Sequence, residues 1–224
     1  MSSATVIVTH YNRPSDVLKK AVDSALAQTV ECDILVTDKT DNPYLSWYKA
    51  IYSAGTEYVA ILHDDDWYEP EFIERCLAEM RPDAGFVFTN AMVRWADRDV
   101  ENFPGIVGGY VDSGSLSNAL RTSGGVISPS CVVLRRDDAL NTLLPGGVPL
   151  AESNGVLSGP DALMTMLLLI KYPCAAFIKD TLVNFSANAD STTLKSDPAK
   201  LRENYVYAWR FFDAIRGAGK RVQR

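Results

Sequence analysis

The sequence predicts a single α/β domain with a mostly parallel central sheet flanked by helices and a C-terminal amphipathic helix. Short apolar runs alternate with helix-periodic segments through roughly the first ninety residues, the pattern of successive βαβ units. The run from Tyr58 to Leu62 is apolar throughout, as expected of a central strand covered on both faces. A chain of 224 residues, 47% hydrophobic and 22% charged, is large enough for one core. That composition excludes disordered, collagen-like and coiled-coil classes.

In chain order, Thr5 to Val8 reads as a strand. Ser15 to Gln28 reads as a helix, because Val17/Leu18, Ala21/Val22 and Ala25/Leu26 recur at helical spacing. Ile34 to Val36 is a second strand. Asn42-Pro43 then supplies an N-cap and a first-turn proline for a helix to Ser53. After the Tyr58–Leu62 strand, Pro70 opens a helix with Phe72/Ile73, Cys76/Leu77 and Met80 on one face, and Gly85 to Thr89 is a fourth strand. Glycines break up the stretch from Ala96 to Gly159, where a helix near Ser115–Leu120, a strand at Cys131–Leu134 and a helix after Asp137 are expected. Pro160 begins a helix to Lys171. Two strands, Ala175–Ile178 and Leu182–Phe185, follow, then a helix from Pro198 to Arg216 with Leu201, Tyr205, Trp209, Phe212 and Ile215 on one side.

The longest apolar run, Ala162 to Ile170, falls far short of the ~20 residues that cross a bilayer. The amino terminus lacks the basic region of a secretory signal, so a cytoplasmic protein is expected. The 4 cysteines are scattered without C-x-x-C spacing, which favours reduced thiols over disulfides or zinc. With 2 histidines, histidine-based metal chemistry is excluded as well. The net charge of −6 is uneven: Lys195 to Arg224 holds eight Lys/Arg against three Asp/Glu, leaving −11 on the rest.

Ligands of open α/β sheets bind beyond the carboxyl ends of the strands. There the chain places Thr9-His10-Tyr11-Asn12-Arg13, Thr37-Asp38 and His63-Asp64-Asp65-Asp66. Three successive carboxylates at the end of a buried strand repel unless a cation neutralises them. Carboxylate ligands suit Mn²⁺ or Mg²⁺ shared with substrate phosphates. The bland alternative is an acidic, solvated turn leading into the next helix. For Asp66 the two readings balance; for Asp64 and Asp65 function is preferred.

Four strings carry a family resemblance: Val6-Ile-Val-Thr-His-Tyr-Asn-Arg-Pro, Ala21-Val-Asp-Ser-Ala-Leu-Ala-Gln-Thr, Ile34-Leu-Val-Thr-Asp and Ile61-Leu-His-Asp-Asp-Asp-Trp-Tyr-Glu-Pro. In this order they resemble the nucleotide-binding half of the GT-A-fold, family 2 glycosyltransferases. The resemblance implies transfer of a sugar from a nucleotide-sugar, usually a UDP-sugar, with inversion at the anomeric carbon. It implies that Thr9 and Tyr11 line the base and ribose pocket, that Asp38 accepts from uracil and that Asp64 sits near the ribose. It further implies that Asp65, with Asp66 beside it, holds the metal on the diphosphate. The chain departs from the family at His63 and Thr37, where the family commonly has Asp. His63 is read as a strand-end residue rather than a ligand.

In the second half, Ser158-Gly-Pro-Asp stands where the family shows Gly-Glu-Asp before an apolar helix. By that match Asp161 is the catalytic base, its ionised form favoured by the helix start. Ser130, in the strand segment flanking the acceptor site, is matched to a donor-sugar or acceptor contact, with a turn role equally open. Ser186 and Asn188 stand where the family often carries Arg and His.

The expected organisation is a glycosyltransferase domain over 1–195, split into a nucleotide-binding half (1–95) and an acceptor half (96–195), and a basic, aromatic tail over 196–224. The tail helix is read first as packing on the domain. Contact with anionic lipid, as a peripheral membrane protein with a lipid-linked acceptor, and attraction of a modified-DNA acceptor stay open. A saccharide or lipid-linked saccharide is the favoured acceptor, in single additions. Two alternatives remain: a nucleotidyltransferase, disfavoured because Thr9 to Pro14 contains no glycine, and a degenerate relative that binds nucleotide-sugars or glycans without turnover.

Overall fold

The computed structural model describes residues 2–11, 13–38, 42–146, 159–187 and 195–218. Asn12, Ser158, Asn188, Lys220, Arg221 and Arg224 lie outside them. Among the described residues nine strands form one sheet: β1 (Ala4–Val8), β2 (Cys32–Val36), β3 (Tyr58–Leu62), β4 (Trp67–Tyr68), β5 (Ala84–Arg94), β6 (Asp99–Glu101), β7 (Gly109–Asp112), β8 (Val132–Arg135) and β9 (Cys174–Ser186). The helices are α1 (Ser15–Leu26), α2 (Pro43–Ser53), α3 (Phe72–Ala78), α4 (Ser113–Ser123), α5 (Arg136–Thr142), α6 (Pro160–Lys171) and, last, α7 (Pro198–Ala218).

The strand order is β2-β1-β3-β8-β5-β9-β4, with β6 added to β5 and β7 to β9. β1 runs parallel to both β2 and β3, so Val8 lies level with Val36 and Leu62 and all three chains leave the sheet at the same end. α1 packs on β1, β2 and β4, and α3 on β5, β8 and β9, while α2, α4, α5, α6 and α7 pack against one another as a second layer. Val59 to Leu62 are fully buried between the layers, as the unbroken apolar run requires. Asn42 caps α2 as expected, its side chain accepting from the Leu45 N–H at 3.1 Å ahead of Pro43.

The sheet is mixed rather than mostly parallel. Parallel neighbours need a long crossover, and the α3 crossover from β3 to β5 leaves a one-strand gap between them. β8 fills it, antiparallel to both. The two strands expected at 175–178 and 182–185 are one strand, β9, whose pairing with β5 jumps from Ile178 to Thr181. Lys179 and Asp180 form an exposed bulge there, which reads in sequence as a break between strands. β4, β6 and β7 are too short or too exposed to show alternation in sequence. On α7 the buried positions are Asn204, Ala208 and Phe212, whereas Ile215 is exposed at 42%. The buried face is therefore rotated from the expected stripe, and Arg121 on α4 fixes it through a bidentate pair with Asp213 at 2.6 and 3.0 Å.

All four thiols are free, with Cys76 and Cys131 buried. Burial, then the charges of Asp33 and Glu31, push the Cys32 thiol up to about 11. A raised thiol pKa keeps the nucleophilic thiolate scarce at neutral pH. Cys32 alkylation by iodoacetamide, followed by mass spectrometry, should therefore be slow at neutral pH and rise roughly tenfold per pH unit until near 11. Full labelling at neutral pH within the time taken by free cysteine would contradict this.

Candidate active site

Two strand ends build the first wall of the site. After β1, the buried Thr9 donates its N–H to Leu62 O at 2.8 Å, and its hydroxyl accepts the Asp64 N–H at 3.1 Å. Asp64 in turn accepts the Tyr11 N–H at 2.7 Å through Oδ2. Thr37, the departure after β2, is also buried and accepts the His10 N–H at 2.9 Å. A hydroxyl there ties the β1 and β2 ends together without adding a carboxylate. Tyr11 is 44% exposed, and Asp38 is exposed at the β2 end. Thr9, Tyr11, Asp38 and Asp64 thus gather at adjacent strand ends.

Arg13 was not singled out in the sequence. Its Nη2 lies 2.6 Å from Asp65 Oδ2 and its Nε 3.7 Å from Asp64 Oδ1, with the three side chains only 7 to 14% exposed. Asp66 points the other way. Its Oδ2 accepts the Ser130 hydroxyl at 2.9 Å and its Oδ1 the Ser186 N–H at 3.2 Å. Ser130 also accepts the His63 N–H at 3.2 Å and is fully buried. Its hydroxyl is engaged inside the protein, joining the β3 end to the turn before β8, in keeping with the turn role that the sequence left open beside a donor-sugar or acceptor contact.

His63 likewise does more than end a strand. Its Nδ1 lies 3.4 Å from Asp66 Oδ2, and its ring lies 5.5 Å from that of Trp47. Burial alone would push His63 down. The hydrogen bond and charge of Asp66, followed by Asp65 and Asp161, outweigh it and lift the imidazole to about 9. Asp66 is pushed upward by its burial, opposed by His63 and Ser130. The three carboxylates are therefore balanced in part by two cations of the chain itself, Arg13 and His63.

The facing wall is α6. Gly159 precedes it with φ +105°, a backbone region that side chains rarely adopt, and turns its N–H onto Asp161 Oδ1 at 2.9 Å. Asp161 Oδ2 accepts no hydrogen bond among the described residues. Tyr44 of α2 and Tyr205 of α7 both feel the Asp161 charge, which adds to burial in pushing the two phenols up. α7 packs along α6, so a helix read from sequence as a tail element reaches the site. The signal missed was Tyr205 itself, counted within an aromatic stripe. Asp38, Asp64 and Asp65 follow the ends of neighbouring parallel strands, and the Asp161 charge reaches His63 at the same end; Asp66 and Ser130 are buried.

No group of three or more His, Cys, Asp or Glu is gathered as an all-protein cage among the described residues. Asp65 retains Oδ1 without a hydrogen bond among the described residues, whereas both oxygens of Asp66 are occupied. One carboxylate with substrate phosphates suffices for Mg²⁺ or Mn²⁺, so the set is compatible with an ion shared with a diphosphate, for which Asp65 would be the protein ligand.

An open α/β sheet with acids beyond its central parallel strand and an acid at the start of a helix is the arrangement that the resemblance to GT-A-fold enzymes leads one to expect. The family model described as Glycosyl transferase family 2 matches residues 35–141, a little under half of the chain. Among solved structures, the S. aureus protein TarS matches over 99% of this chain and 40% of that chain, with 12% identity and a TM-score of 0.66. Its 1–349 fragment with UDP-GlcNAc matches with 13% identity and a TM-score of 0.69, covering 99% of this chain and 68% of that one. The same fragment with UDP gives 12% identity and 0.67, covering 99% and 67%. This chain therefore spans well under half of that TarS chain and about two thirds of its fragment. No curated protein matches in sequence. The shared fold and the family match support a glycosyltransferase. No helix among the described residues is long and apolar enough to cross a membrane.

Proposed function

We propose that this chain transfers one sugar from a UDP-sugar to an acceptor hydroxyl with inversion, using a divalent metal and Asp161 as general base. The observation that supports the reading is Asp65 just after the end of β3 with one carboxylate oxygen still available, together with Asp161 in the first turn of α6, whose charge reaches the neighbouring His63. UDP-GlcNAc in the TarS fragment supports the donor class by similarity of fold. In this reading Asp38 accepts from the uracil N–H, Thr9 and Tyr11 border base and ribose, and Asp64 holds the Tyr11 backbone beside the ribose. Mn²⁺ or Mg²⁺ on Asp65 would neutralise charge on the leaving diphosphate. Arg13 holds Asp65 in place, and Asp66 anchors the loop instead of binding the ion.

Asp161 Oδ2 takes the proton of the acceptor hydroxyl as its oxygen bonds to the anomeric carbon. The bond from that carbon to the diphosphate oxygen breaks, and its electron pair leaves with the nucleotide. Attack from the face opposite the leaving group inverts the centre.

Thermal shift with UDP-, GDP-, CDP- and TDP-sugars, with and without chelator, tests the first step. A metal-dependent rise in Tm with UDP-sugars is expected, and Asp65→Ala should weaken donor binding at least roughly tenfold, one charge-assisted contact or more. If no sugar nucleotide shifts Tm, the donor reading fails. A shift that survives chelator removes the metal from it.

A further inference from the structure

Arg13 grips one oxygen of the same carboxylate whose other oxygen is open to an ion. Its Nη2 lies 2.6 Å from Asp65 Oδ2, and its Nε 3.7 Å from Asp64 Oδ1. The side chains of Arg13, Asp64 and Asp65 are 14, 7 and 13% exposed, so dissolved salt screens the cluster poorly.

The backbone keeps the guanidinium there. Tyr11, two residues earlier, gives its N–H to Asp64 Oδ2 at 2.7 Å. Pro14, the next residue, is extended at φ −55° and ψ 148°, and its carbonyl accepts the Leu18 N–H at 3.1 Å where α1 opens. Arg13 is thus held from both sides, between the β1 end and a helix. A guanidinium keeps its charge at any working pH. One guanidinium against two carboxylates leaves the pair with a single net negative charge. A positive charge a few Å from a divalent ion costs the ion roughly tenfold in affinity even at the dielectric constant of water. A diphosphate arriving beside the guanidinium brings charge that offsets this repulsion.

We propose that Arg13 is the built-in counter-ion of the Asp64/Asp65 pair, and that it makes metal entry depend on the nucleotide. This rests on the donor reading above. With the site bare, Arg13 disfavours the ion; with a nucleoside diphosphate present, the repulsion is offset and the phosphate oxygens complete the ion's ligand set. Arg13 acts through Asp65 and is a positioning residue. His63 does not share the task, because it lies on Asp66, both of whose oxygens accept hydrogen bonds within the protein.

Arg13→Met keeps the length of the stem and removes the charge, and Arg13→Gln also leaves an N–H for Asp65. Bound Mn²⁺ is counted by equilibrium dialysis, alone and with saturating UDP in both compartments. In the unmutated chain UDP should tighten Mn²⁺ binding at least roughly tenfold. Each variant should bind Mn²⁺ alone roughly tenfold more tightly than the unmutated chain, and within about threefold of it once UDP is present. A gain of metal binding on substitution is the signature of a removed charge, since a residue that only shapes the loop would weaken Mn²⁺ binding when replaced. Unchanged or weaker binding of Mn²⁺ alone in a folded variant overturns the proposal, as does an equal gain with and without UDP. So does a thermal melt showing that neither variant folds, which assigns Arg13 to the fold. An unmutated chain that binds no UDP with Mn²⁺ present overturns the donor reading instead.

Discussion

Replacing Asp161 with Asn should lower kcat by about 10²- to 10⁴-fold, the span of a lost general base, while donor affinity stays within about twofold. Asn is nearly the same shape, and its amide oxygen can still accept the Gly159 N–H that now reaches Asp161 Oδ1 at 2.9 Å. What it loses is the capacity to take a proton. Nucleotide release at saturating acceptor reads kcat, and thermal shift reads donor binding. An unchanged kcat removes Asp161 as the base; a parallel collapse of both readings assigns it to folding or donor binding instead.

Asp66→Ala should destabilise the fold by about 3–5 kcal/mol, the range for removing one partner of a buried charged pair. The Ser130 hydroxyl, the Ser186 N–H and the His63 imidazole all converge on this one carboxylate. Its loss removes their shared acceptor at a position only 5% exposed. Asp66→Asn should cost less, because the amide oxygen keeps one acceptor and escapes the burial penalty that pushes Asp66 upward. Urea unfolding measures both. A change in midpoint within error for Asp66→Ala would show that water replaces the carboxylate freely, contrary to its burial.

The first half of the molecule was largely legible in the sequence because its signals are local. β3 announces itself by five apolar residues, α2 by Asn42-Pro43, α6 by Pro160, and each is found at those bounds. Thr9, Asp64 and Asp65 follow from strand ends alone. The sequence left Asp66 and Ser130 evenly balanced between a functional and a structural role, because their mutual hydrogen bond joins residues more than sixty positions apart, a separation no spacing rule spans. His63 was set aside for a similar reason. A lone histidine gives no hint of its neighbours, and only the fold brings its ring beside that of Trp47. The strand β9 was divided because a bulge carrying Lys179 and Asp180 looks like a turn. Tyr205 was missed because a helix shows its buried stripe in sequence but not which neighbour that stripe meets.

β8 has a consequence for how the chain is made. It comes from the second half of the sequence, yet hydrogen-bonds to β3 on one side and β5 on the other. A ribosome that has released only residues 1–95 therefore presents β3 and β5 with facing edges unpaired. Such edges are templates for pairing with another chain. The β1–β2–β3 unit can form early, but its seam with β5 waits for residues 132–135 to emerge, a closure of long sequence separation that slows folding. Expression by halves, split near residue 95, should therefore give sticky fragments. Co-expression should restore a soluble pair only when the second fragment brings β8.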